Sequence, residues 1–158
     1  MNWDQEEVQY LEIAALLHDV GKLWVPEPIL TKKGKLNPQD IRMLRMHPIY
    51  GAQILQSSGM FEKITPWIYH HQELWNGTGY PDGIKEDEIP IQSRVISVCE
   101  AFAAMLTGSP NKSPITIDQA LERIKYEAGT NFDPVVVQAF IVAVESQEMD
   151  FLKKFVEK

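Results

Sequence analysis

Apolar residues recur at helical spacing along most of the chain. Val8, Leu11, Ala15 and Leu16 form one stripe, so Asp4 is expected to cap a helix running to about His18. Gly21 then lets the chain turn out of that helix. Residues 24–36, with Pro26, Pro28 and Gly34, read as a loop. Asn37-Pro38 sets a capping residue before a proline at the first helical position, which opens a helix through about Met46. His47-Pro48 breaks or kinks it, and a second helix should run over residues 48–56.

A further helix is expected over residues 67–72, with Pro66 near its start. Residues 76–83, Asn-Gly-Thr-Gly-Tyr-Pro-Asp-Gly, hold too many turn formers to be anything but loop. Pro90 opens a long helix through Val95, Val98, Phe102 and Leu106, ended by residues 108–114. Thr116 and Gln119 form a capping box ahead of the Leu121 and Ile124 face, with Gly129 as its stop. Asp133-Pro134 starts a helix through Val137, Phe140 and Val144, and Met149, Leu152, Phe155 and Val156 make an amphipathic tail that suits a partner. Strand signals are weak and no repeat is present, so the fold class expected is all-α, a compact multi-helix bundle.

At 158 residues the chain has the size of one domain with one substantial core. Its 15 Lys and Arg against 22 Asp and Glu leave it acidic, at −7. That balance argues against a nucleic-acid polymer or an anionic membrane as partner. A small nucleotide held by metal ions stays compatible with it. No apolar run approaches the roughly 20 residues that span a bilayer. Cys99 is the only cysteine, so an intrachain disulfide is impossible and the reducing cytoplasm is the default compartment.

Every histidine falls at an expected helix end or in a cluster. His18 and Asp19 are adjacent at the end of the first helix, where both side chains can turn toward one point and share a hard or borderline cation. Lys22 offers a cation nearby for a phosphate oxygen. His47 sits at a second helix junction, and His70 and His71 are adjacent before the glycine-rich loop. Glu100 lies among apolar neighbours on the long helix, where a buried carboxylate needs a partner, a hydrogen bond or a metal. Spacing alone leaves the bland readings open: satisfied core histidines, a half-exposed His-His pair and a buried salt-bridge partner.

Leu16-Leu17-His18-Asp19-Val20-Gly21-Lys22 resembles the signature of the HD superfamily of metal-dependent phosphohydrolases. His70-His71-Gln72-Glu73-Leu74-Trp75-Asn76-Gly77-Thr78-Gly79-Tyr80-Pro81 resembles the second signature of its HD-GYP subfamily. His47-Pro48-Ile49-Tyr50-Gly51 is similar to the family's HPxxG element, Ile89-Pro90 with Arg94-Val95-Ile96-Ser97-Val98 to its IP…RIxxV helix, and Gly129-Thr130-Asn131-Phe132-Asp133-Pro134 to its closing turn. The likeness runs in order from about Leu11 to about Phe140.

That resemblance implies hydrolysis of cyclic di-GMP by attack of a metal-bridging hydroxide at two divalent ions, iron or manganese. It makes His18, Asp19, His47 and one or both of His70 and His71 metal ligands, with Asp19 bridging and Lys22 on the substrate phosphate. Glu100 stands where the family has a ligand aspartate, and Arg94 would add a cation on the substrate side. Gly79-Tyr80-Pro81 would rim the site and is implicated in contacts with GGDEF-domain proteins; oligomeric state is left open. A third metal is not expected, because its ligands come from an upstream helix that this sequence does not contain.

Several positions depart from the family pattern. Glu100 replaces aspartate, Ala103 a second aspartate and Asn76 the aspartate of the loop, while residues 108–112 replace an arginine-bearing segment. Counting back from the Gly-Tyr-Pro loop sets Gln72 where a second histidine stands, which favours His71 over His70 as ligand. These departures motivate two alternatives: a catalytically degenerate regulatory module that binds nucleotide or a partner domain, and a phosphohydrolase for another nucleotide.

Overall fold

In the computed structural model, residues 3–108 and 112–146 are described. The amphipathic tail from Met149 onward and residues 109–111 lie outside them. The described chain is all-α: α1 (Gln5–Leu17), α2 (Glu27–Leu30), α3 (Pro38–Leu44), α4 (His47–Ser58), α5 (Thr65–Tyr69), α6 (Ile91–Thr107), α7 (Ile117–Tyr126) and α8 (Pro134–Glu145). Short 3-10 turns cover Val20–Trp24 and Glu86–Glu88, and a lone bridge joins Ala128 to Phe132.

The helix starts follow their capping chemistry. Asp4 accepts from the Glu7 amide, Asn37 and Asp40 form a reciprocal box, Thr116 and Gln119 form another, and Asp133 accepts from the Val135 amide. Two expectations need correction. Residues 24–36 are not all loop, because Pro28 falls in the first turn of α2, where its missing N–H is no loss. The helix expected over residues 67–72 starts at Thr65 and stops at Tyr69, so both His70 and His71 sit in the turn that follows.

The buried side chains form two clusters rather than one core. Ala14, Leu55, Ile64, Trp67, Ile68 and Ile96 join α1, α4 and α5 to one face of α6. Val98, Phe102 and Leu106 pack the other face of α6 against α7 and α8, through Ile124, Val137 and Ile141 among others. The long helix α6 is thus shared, and its sequence reads as two stripes. Ser93, Ile96 and Glu100 follow three- and four-residue spacing along one of them. On it, the Ser93 hydroxyl donates to the Trp67 carbonyl at 2.8 Å, Ile96 fills the first cluster, and Glu100 reaches the site described next.

Candidate metal centre

A glycine contact brings the first two motifs together. α4 packs on the 3-10 turn Val20–Trp24 so closely that a Cβ on Gly21 would lie 1.9 Å from the His47 carbonyl oxygen and 2.4 Å from the Gly51 nitrogen. Gly21 is therefore required for close approach and not, as expected, for a turn. With both glycines in place, His18 at the C-terminal cap of α1, Asp19 just beyond it and His47 at the first residue of α4 face one another. His71 follows α5 and Glu100 comes from α6, so four helices contribute.

Three of the histidines share one local device. His18 Nδ1 lies 2.7 Å from the Ala15 carbonyl, His47 Nδ1 2.8 Å from that of Leu44, and His71 Nδ1 2.6 Å from that of Ile68. A carbonyl can only accept, so each Nδ1 carries a proton, and it is Nε2 of each ring that has its lone pair to offer a cation. Those lone pairs converge. His47 Nε2 is 3.2 Å from His71 Nε2 and 3.4 Å from Asp19 Oδ1, and His18 Nε2 is 3.5 Å from Asp19 Oδ2 and 4.0 Å from Glu100 Oε1.

Burial keeps His47 and His71 neutral. It pushes the fully buried His71 imidazole down to about 3, helped by the charges of His47 and His18, and it lowers His47 as well. Burial alone would raise Asp19, but the hydrogen bond and charge of Lys22, with His18 and His47, hold this carboxyl below its usual range. Glu100 goes the other way: burial raises it, and the Asp19 charge adds to that against the opposing His18, Lys22 and Gln72.

The arrangement fits a cation. Two neutral imidazoles with lone pairs facing at 3.2 Å repel unless something positive lies between them. Asp19 Oδ1 is buried with no hydrogen-bond partner, an orphan that a metal would satisfy. Two donor sets result, Asp19 with His47 and His71, and Asp19 with His18 and Glu100, and they share Asp19. The Nδ1–H bonds to carbonyls supply the outer partners that orient metal-binding histidines.

The remaining candidates separate. His70 does not join the cluster: its ring lies against Tyr69, with Nδ1 3.9 Å from Glu73 and 4.0 Å from Asp82. Of the pair, His71 is fully buried and faces His47, and His70 faces the acidic loop instead. Arg94 is also turned elsewhere. Its guanidinium bonds Asp133 at 2.9 Å and Asp87 at 3.0 Å, its Nε donates to the Ile89 carbonyl, and it lies over the Trp75 ring. Lys22 is beside Asp19, to which it donates. In the Gly79-Tyr80-Pro81 loop, a Cβ on Gly79 would meet the Leu74 nitrogen at 2.3 Å, and Tyr80 stands edge-on to His47 at 6.3 Å beneath Arg45.

Two residues that fix this loop were not legible as functional. Glu73, its side chain fully buried, accepts from the Asp82 and Gly83 amides and so closes the loop on itself. Gln72 donates to Glu100 Oε2 at 2.8 Å and accepts from the Tyr80 hydroxyl at 3.1 Å. Its sequence signal was only a departure from the histidine pattern.

An all-α scaffold whose helix ends gather histidines around a shared aspartate offers the donor atoms that divalent cations need. The HD domain model matches residues 1–136, and the chain belongs to the HD domain family. It is 37% identical over 139 residues to the cyclic di-GMP phosphodiesterase response regulator RpfG of Xanthomonas campestris, covering 87% of this chain and 37% of that one. It is 38% identical over 125 residues to 3'3'-cGAMP-specific phosphodiesterase 3 of Vibrio cholerae, covering 79% and 27%. Among solved structures, a HDG"Y"P protein from Bdellovibrio bacteriovorus superposes with a TM-score of 0.71 at 25% identity, over 96% of this chain and 45% of that one. The chain thus spans less than half the length of each of these proteins. No helix among the described residues is long and apolar enough to cross a membrane.

Proposed function

We propose that the chain is a phosphodiesterase domain for cyclic di-GMP that works with two divalent ions, iron or manganese. The observation that carries this reading is the pair of donor sets sharing Asp19, whose buried Oδ1 has no protein partner. His47 and His71 would hold one ion with Asp19, and His18 and Glu100 the other. When bound, such ions lower the pKa of water and stabilise charge on the phosphodiester oxygens. The protein's own part is to orient three imidazoles through their backbone carbonyls, to keep His47 and His71 neutral by burial, and to keep Asp19 ionised through Lys22. Lys22, more than a third exposed, is the cation placed to meet a phosphate. The named substrates of the relatives, cyclic di-GMP and cGAMP, share a guanine and two phosphodiesters, which supports the substrate class.

Purified protein loaded with manganese or ferrous iron under reducing conditions should linearise cyclic di-GMP, and His18→Ala or Asp19→Ala should abolish turnover. Absence of turnover with any divalent metal would overturn the reading. Calorimetric binding of nucleotide to such an inactive protein would then favour a regulatory module.

A further inference from the structure

A cavity of about 800 Å³ has Asp19 and Lys22 of the candidate metal centre among its lining residues. The rest is apolar except at one point. Leu16, 85% exposed, and Leu23, 78% exposed, stand with Trp24 and Leu30 around its wall, and Glu27 supplies the carboxylate. Large apolar side chains this exposed, gathered at one place, mark a binding surface more often than a stability feature. Trp24 is anchored by Tyr50, with ring centroids 5.6 Å apart, yet the indole stays 55% exposed. The Glu27 carboxylate has no hydrogen-bond or ion-pair partner among the described residues.

We propose that this cavity is a nucleobase subsite that selects guanine: the base stacks on Trp24, its Watson–Crick edge meets Glu27, and its diester reaches Lys22. The inference rests on the phosphodiesterase reading above. The occupant is fixed by continuity and by charge. Asp19 and Lys22 belong both to the candidate metal centre and to the lining of the cavity, so a group that fills it can be joined to a phosphate held at Lys22. A flat aromatic group suits an exposed indole, since stacking serves any base. A carboxylate then discriminates, because guanine offers N1–H and N2–H donors on that edge while adenine offers a lone pair at N1. The neighbouring acidic charge of Glu27 also disfavours a second phosphate there, which leaves the base as the group that fits.

Steady-state kinetics of the metal-loaded protein on cyclic di-GMP, cyclic di-AMP and bis(p-nitrophenyl) phosphate test this. Trp24→Ala should raise KM for cyclic di-GMP about ten-fold with little change in kcat, and Trp24→Phe should restore it. Glu27→Gln should reduce the preference for cyclic di-GMP over cyclic di-AMP about ten-fold. Both losses should be larger on the dinucleotide than on the base-free diester. Unchanged KM and preference, or equal loss on all three diesters, would overturn the subsite, as would a Trp24→Ala protein whose only change is in oligomeric state. If the wild type hydrolyses none of them, the phosphodiesterase reading fails by itself. The subsite is then decided by calorimetry with GMP and AMP: preference for GMP that Trp24→Ala and Glu27→Gln remove supports it, and equal binding overturns it.

Discussion

The side-chain amide of Gln72 holds Glu100 at 2.8 Å through Nε2, and its carbonyl takes the Tyr80 hydroxyl at 3.1 Å. One amide therefore ties the Gly-Tyr-Pro loop to a carboxylate of the metal centre. It also occupies Oε2 of Glu100, so that Oε1 faces His18 at 4.0 Å. The two departures from the family pattern at these positions answer each other: the longer carboxylate meets a side chain that can steer it. Removing such an outer partner typically weakens metal binding about ten-fold or more. Gln72→Ala should show that loss in a competition titration against a chelating dye, and Gln72→Glu should bind still more weakly because two carboxylates would then face each other. Wild-type affinity in both variants would show that the link is idle.

Glycines at two sites should behave in opposite ways. Gly21→Ala drives a Cβ to 1.9 Å from a backbone oxygen of α4, and neither backbone can yield without pulling His47 from His18. A loss of about 4 kcal/mol or failure to fold is expected. Gly59, by contrast, ends α4 with φ +66° and open space around it. Gly59→Ala should lose only about 1 kcal/mol, from backbone strain alone. Urea denaturation of the two variants checks the contrast.

Much of this architecture was readable from the chain, and the residues show why. Caps are local, so Asp4, Asn37, Thr116 and Asp133 announce their helices without any tertiary information. The ordered motifs likewise pointed to His18, Asp19, His47 and His71, which the structure gathers together with Glu100. What stayed hidden is what depends on distant partners. Gly21 looked like a turn residue because nothing in the sequence says that α4 will lie against it. Arg94 looked available to a substrate because its carboxylate partner is 39 residues away. Counting back from the loop favoured His71 over His70, but only the end of α5 at Tyr69 and the packing beyond it set which ring faces inward.

The engagement of Arg94 has its own consequence. Asp133 is 3% exposed and caps α8 while pairing with Arg94. Arg94→Ala leaves that carboxylate buried without its cation, a change that typically costs about 3–5 kcal/mol. Thermal unfolding should register the loss, and KM for cyclic di-GMP should stay close to wild type in whatever folded protein remains. A KM effect without destabilisation would restore Arg94 to the substrate side.

Acid should destabilise the metal-free protein as its buried histidines are forced to take up protons. Burial lowers His71 to about 3 and also lowers His47, whereas both return to about 6.5 on unfolding. Between those values the unfolded chain binds more protons than the folded one, so stability rises with pH through this window and falls as pH drops below about 6.5. The slope approaches roughly 1.4 kcal/mol per pH unit for His71, and His47 adds to it in the same direction. Chemical denaturation from pH 7.5 to 4.5 in chelator should show it, and His71→Ala should flatten it; a flat wild-type profile would contradict neutral buried rings.

The metal content itself gives the sharpest separation between residues. Asp19 belongs to both donor sets, whereas Glu100 and His18 belong to one and His47 and His71 to the other. Elemental analysis after loading should therefore find about two ions per wild-type chain, about one in Glu100→Gln, and none retained in Asp19→Ala. Glu100→Gln also removes a carboxylate whose burial already resists ionisation, so its fold should survive the change. The bound ions stabilise only the folded state, which at a hundred-fold excess over Kd amounts to about 2.7 kcal/mol for each site. Chelation should accordingly lower the Tm of the wild type by more than that of Glu100→Gln, and should leave Asp19→Ala where it was. Equal metal content in wild type and Glu100→Gln would mean that Glu100 holds no ion, and that Gln72 restrains a carboxylate with another role.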